Sequence, residues 1–185
     1  MRKILNYQLF ALISTVLFAN LVFAEGFTLS SDEFSGQFSK SQVFNSFGCD
    51  GKNWSPQISW KHPPAGTKSF AVTLYDPDAP TGSGWWHWVV FDIPSETREL
   101  KPRAGTVENN IAPKGAIQSM TSFGKVGYGG ACPPKGDKPH QYIMTIHALS
   151  VDQLGLDASA LPELVGFYIN QHSIGRSSIV AYHAR

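Results

Sequence analysis

Ser69-Phe-Ala-Val-Thr-Leu-Tyr75 runs into Asp76-Pro-Asp-Ala-Pro80, and Trp85-Trp-His-Trp-Val-Val-Phe-Asp-Ile93 follows at once. The first segment is rich in β-branched and aromatic residues and stops at Asp-Pro, which predicts a strand. Trp88 to Ile93 stops at Pro94 and predicts a second strand by the same rule. Gln141-Tyr-Ile-Met-Thr-Ile-His-Ala-Leu149 predicts a third. Gln57–Trp60 and Gly26–Leu29 are weaker strand signals, Ser177–Tyr182 reads as a last strand, and the Gly26–Leu29 strand is expected to have a partner on each side. Leu161, Leu164, Val165, Tyr168 and Ile169 recur at helical spacing. Ser159 and Pro162 predict the cap and first turn of this helix, and Gly175 predicts its end. A short helical turn is expected over Asp152–Leu156. Strands first and one or two helices late in the chain predict a mainly β protein, a β-sandwich with helical additions.

The polar chemistry of the chain concentrates around these strands. Asp76 and Asp78 follow the first strand on a turn that Pro77 and Pro80 stiffen, since proline fixes φ and lowers the entropy of the unfolded loop. His87 lies between Trp86 and Trp88, and period-two alternation sends it away from both. Tyr128-Gly-Gly-Ala-Cys-Pro-Pro134 precedes His140 and Tyr142, which share a face of the third strand. Backbone amides at Gly129 and Gly130, two imidazoles and a tyrosine hydroxyl are donors suited to a small anion such as phosphate. Taken singly, each feature has a structural reading: a hydrogen-bonded core histidine, an ordinary Asp-Pro turn, a core tryptophan. Their co-occurrence in neighbouring loops is what points to a pocket.

Bulk properties bound the rest. Met1-Arg-Lys3, a mostly apolar run to Phe23 and the small-residue exit Val22-Phe-Ala24 predict a secretory signal over residues 1–24. The alternative is an uncleaved anchor, since a spanning helix needs about 20 apolar residues. Residues 25–185 then form a single domain, and the protein is expected to be periplasmic or secreted. Removing Arg2 and Lys3 leaves a net charge of −1, which argues against nucleic-acid binding. The 12 Phe allow a real core, while 12 Pro and 17 Gly argue against a helical bundle. An even pair of cysteines in an exported chain predicts a Cys49–Cys132 disulfide. Two separate buried thiols, or a reactive Cys132, are the alternatives.

The two motif blocks together carry a resemblance. Asp76-Pro-Asp-Ala-Pro80 with Trp85–Trp88, and Tyr128–Gly136 with His140-Gln-Tyr142, resemble in order the two signatures of the phosphatidylethanolamine-binding protein family. That family is also called Raf kinase inhibitor-like, and the chain is similar to its bacterial, exported branch. The likeness extends through Ser55-Pro56, Leu164-Val-Gly166 and the closing strand. The resemblance implies a sandwich of two antiparallel sheets with an anion pocket built from Asp76, Pro80, His87, Gly130, His140 and Tyr142. Asp78 matches as well and is expected to brace the loop. It also implies a homodimer. Gln141 stands where the family usually has arginine, which removes a cation beside the site, and Lys138-Pro139 replaces the usual residues before the histidine.

The leading expectation is therefore an exported binding protein, not an enzyme, that takes a phosphate, a phospholipid head group, or a phosphorylated or carboxylate ligand, with no cofactor. The alternatives are a hydrolase using Asp76, His87 and His140 as acid–base groups, a two-His, one-carboxylate metal site, and a protease inhibitor acting through an exposed loop. No Gly-x-Ser-x-Gly elbow supports the hydrolase.

Overall fold

A strand that is apolar on both faces must be covered on both faces, and β4 (Ser69–Asp76) is such a strand, buried along almost its whole length. In the computed structural model, which describes residues 26–34 and 36–185, it lies inside a sheet between β5 (Trp85–Pro94) and β8 (His140–Leu149), antiparallel to both. β8 pairs in turn with β9 (Ser173–His183). Short edge strands complete this six-stranded sheet: β2 (Gly36–Gln37) lies parallel to the end of β9, and β7 (Ile117–Gln118) lies antiparallel to β5. A three-stranded sheet has the order β1 (Thr28–Ser30), β3 (Ile58–Lys61), β6 (Glu99–Leu100).

The core divides along the two faces of β4. Phe70, Val72 and Leu74 join Ile58 and Trp60 of β3, Leu100 of β6 and Trp88, Val90 and Met144 of the large sheet in one cluster between the sheets. Trp60 meets Phe70 edge to face at 5.3 Å, an arrangement that the ring quadrupoles favour. Ala71, Val89, Phe91 and Leu149 face the other way, where α1 (Pro162–His172) covers them with Val165 and Ile169. The fold is mainly β with two sheets and one helix late in the chain, as the sequence predicts.

Several local expectations need correction. Leu161, not Ser159, caps α1, and it makes no side-chain cap bond. Ser159 is instead held by Asp157 Oδ1, which accepts both its N–H and its hydroxyl. The helix ends at His172, and Gly175 lies within β9, where a Cβ would strike Pro64 Cγ at 2.6 Å. Residues 152–156 form bends and no helix. β1 has one partner strand, β3, and its Leu29 N–H is satisfied by Ser177 Oγ at 3.0 Å. The expected leader, 1–24, lies outside the described residues.

Cys49 and Cys132 are bridged across a sequence separation of 83. Closing so long a loop removes about 4 kcal/mol of conformational freedom from the unfolded chain. Replacing both cysteines with alanine is expected to lower the unfolding free energy by about that amount, read by guanidinium titration. A change below about 1 kcal/mol would mean that the bridge does not restrain the unfolded chain.

Candidate functional site

β4 delivers Asp76 to the site at its last residue, where the strand gives way to the proline-stiffened turn. The buried Asp76 carboxylate accepts the Asp78 N–H at 2.8 Å through Oδ1. Its Oδ2 lies 2.8 Å from Nδ1 of His140, the first residue of β8. The other His140 nitrogen, Nε2, faces Asp137 Oδ2 at 3.3 Å. Asp78 turns away from the cavity: Lys138 Nζ reaches its Oδ1 at 3.0 Å, and its Oδ2 accepts the Gln141 N–H at 2.9 Å. The Gln141 amide first, and Lys138 second, hold the Asp78 carboxyl below the usual carboxylate range. Asp78 thus pins the turn to the start of β8.

His87 arrives by a different device. Leu74 stands opposite Trp88 and Tyr75 opposite Trp86, so one step on β4 matches two on β5. His87 is the extra residue of a β-bulge, a feature that re-aims side chains near functional sites. The expected alternation fails on one side as a result. Trp86 turns outward against Tyr75, with ring centroids 4.5 Å apart. Trp88 and His87 both turn toward the inter-sheet side, Trp88 into the core and His87 to within 5.0 Å of the Tyr142 ring.

His87 and Gly129 bind each other reciprocally. Nδ1 lies 2.8 Å from the Gly129 carbonyl, and the Gly129 N–H donates to the His87 carbonyl at 2.8 Å. A carbonyl only accepts, so the proton is on Nδ1. Burial lowers the His87 pKa to about 4, against the opposing pull of the Gly129 carbonyl and Asp76, and the ring is neutral at pH 7. Burial first, and the neighbouring Asp76 carboxylate second, push the Tyr142 hydroxyl well above its ordinary value, so it stays a donor.

The glycine pair works differently from its expected role. The Gly129 amide is spent on His87, and the Gly130 amide donates to Asn53 Oδ1 at 2.7 Å. A Cβ at Gly129 would collide with the Phe123 ring at 2.2 Å, and one at Gly130 with the Gln42 carbonyl oxygen at 2.0 Å. Both positions need glycine for close packing of protein against protein. Neither glycine amide is left for a bound group; the backbone amide that does reach the pocket is that of Cys132, which donates to the Tyr142 hydroxyl.

These elements enclose a cavity of about 170 Å³ lined by Asp76, Pro80, His87, His140 and Tyr142. Asp78 and Gly130 stand behind its wall. The Cys132-Pro-Pro134 end of the glycine motif lines it as well, and so do Phe47, Thr81 and Phe123, which sequence reasoning missed. Phe47 is 64% exposed and stacks at 6.0 Å on Phe123, which meets Trp85 and His87 at 5.3 Å each. An aromatic wall therefore runs from the surface to the buried polar floor. The Thr81 hydroxyl is donated to the Gly84 carbonyl. Among the described residues no group of three or more His, Cys, Asp or Glu side chains stands together as a metal site.

The family profile described as phosphatidylethanolamine-binding protein matches residues 34–184. The chain is 46% identical over 173 residues to the UPF0098 protein YbcL of Escherichia coli K12, covering 91% of this chain and 94% of that one. It is 52% identical over 140 residues to the UPF0098 protein YbhB of the same organism, covering 75% and 87%. The crystal structure of Escherichia coli YbcL, described as a new member of the mammalian PEBP family, superimposes with a TM-score of 0.85. That match has 45% identity and covers 87% of this chain and 99% of the other.

The neutral, buried His87 has a consequence for stability. The unfolded chain takes up a proton near the ordinary pKa of 6.5, while the native ring resists until about 4. Stability from this source is complete above pH 6.5 and is lost as the pH falls toward 4, by up to about 1.4 kcal/mol per pH unit. Unfolding free energies measured at several pH values are expected to fall over that window, and less steeply in His87→Gln. An unchanged slope in the variant would place the effect on other groups.

Proposed function

The chain belongs to the phosphatidylethanolamine-binding protein family, and on that premise we propose that it is an exported binding protein whose pocket takes a small anionic group, a phosphate or phospholipid head group. The observation that carries this reading is the state of the polar floor. Asp76 already has its charge answered by His140 and by the Asp78 amide. The Tyr142 hydroxyl keeps its proton, a donor directed at Asp76 that an incoming anion must compete for, and His87 carries its proton on the side turned away, toward Gly129. An anion gains a second donor when His87 takes up a proton on Nε2, and its negative charge favours that uptake. The aromatic wall from His87 to Phe47 gives an apolar path for whatever the anionic group is attached to. Among the described residues the pocket offers no hydroxyl or thiol free for covalent catalysis: Thr81 is committed to Gly84, Cys132 is in the disulfide and Tyr142 keeps its proton. The disulfide supports an oxidising compartment and hence export.

NMR titration of the histidine rings with phosphate and with phosphoethanolamine tests the proposal. The His87 and His140 signals are expected to move together and saturate, and His87→Ala is expected to weaken binding roughly tenfold. Affinity is expected to rise as the pH falls below neutral, because binding takes up a proton. Affinity independent of pH, or rings that do not respond, would overturn the reading.

A further inference from the structure

The outer face of the six-stranded sheet carries a second cavity, about 300 Å³, between the strands and α1. Alternation sends Tyr75, Trp86, Thr145, His147, Arg176 and Ser178 to this side. Its only formal charge is Arg176, and no carboxylate lines it. The Arg176 guanidinium makes no ion pair among the described residues. Directly across the sheet from Arg176 stands His147, only 8% exposed, with no hydrogen-bond partner for Nδ1. Buried polar groups are nearly always paired, so this ring is an exception that asks for a reason. Thr145 and Ser178 share one hydroxyl–hydroxyl bond of 2.8 Å, and whichever donates, the other keeps a proton free. Tyr75 and Trp86 supply the apolar wall.

Gly166 makes the groove look kept open. It sits inside α1, where glycine costs about 1 kcal/mol relative to alanine. No close packing demands it, since a Cβ there would meet nothing within 4 Å, and its φ is not in the left-handed region. It lines the cavity beside Ile169 and Asn170. A larger residue at this position would project into the space.

We propose that this groove is a second ligand site, separate from the Asp76–His87–His140 pocket, for a small carboxylate with a flat apolar body. A single unpaired guanidinium matches one carboxylate, which its planar fork holds bidentately. A hydroxyl proton adds a donor, and the indole and phenol faces cover the body. The two sites back onto each other: Tyr75 precedes Asp76 and Trp86 precedes His87 on the same strands. The proposal does not depend on what the first pocket binds.

Benzoate, with its neutral isostere benzamide, is the probe. In two-dimensional NMR of the purified protein, benzoate is expected to shift the His147 ring and the Asn170, Arg176 and Ser178 amides saturably, with benzamide roughly tenfold weaker. Arg176→Gln is expected to weaken benzoate roughly tenfold while leaving the response of His87 to phosphate unchanged. Gly166→Leu is expected to abolish the shifts while the circular dichroism of the native fold is retained. Benzoate shifts confined to His87 and His140, shifts equal in Arg176→Gln and the parent, or no shifts at tens of millimolar benzoate would each overturn the proposal.

Discussion

The double burial of β4 is the constraint on which the rest of the molecule depends. A one-residue slip sends every side chain of a strand to its opposite face. In β4 a slip would drive Phe70, Val72 and Leu74 into the layer under α1 where the small Ala71 fits and leave Ala71 between the sheets, and close packing on both faces resists that exchange. The register of β5 and β8 on either side is thereby fixed, and so is the point where the chain leaves the sheet at Asp76. The site is assembled from the ends and irregularities of strands whose middles are locked. His140 opens β8, Asp76 closes β4, and His87 is a single inserted residue in β5.

Electrostatics then decides what each group is. Charges taken from water must be answered. Asp76 is answered by an imidazole and a backbone amide, and Asp78 by a backbone amide and a lysine. His87 has no carboxylate in contact and meets a carbonyl instead, so the inexpensive state is the neutral ring. The pocket thus holds two histidines near the same acid, Asp76, with different partners and different chemistry. Both glycines of the Tyr128-Gly-Gly-Ala motif serve this arrangement by letting backbone and ring approach one another.

Much of this was legible in the sequence. β4, β8 and β9, the existence of α1 and the cysteine pair all follow from apolar pattern, punctuation and parity, because each signal is local and strong. The two-residue strands β2, β6 and β7 left no trace, since two residues show no periodicity and are defined only by their partners. The bulge was equally invisible. Alternation placed His87 opposite both tryptophans, and only the pairing with β4 shows that it shares a side with Trp88. The Gly-Gly motif read correctly as a place of close backbone approach, but what approaches is Phe123 and residues 42–44, which come from far along the chain. Phe47 and Phe123 were missed for the same reason: nothing near them in sequence marks a pocket wall.

The bridge between Cys49 and Cys132 makes a covalent ring out of the middle of the chain, and that ring contains β3 through β7. The longest run of exposed residues in the ring is 107–111, which opens with the 3-10 turn Val107–Asn109. A single peptide bond cut there would not divide the molecule into two. Both fragments would remain one covalent particle, with β4 and β5 still seated in the sheet, until a reductant opened the bridge. Nicked and intact chains would migrate together on a non-reducing gel and separate on a reducing one. A protease cutting inside the ring would therefore need two cuts to release β4 or β5, a form of durability that comes from topology alone.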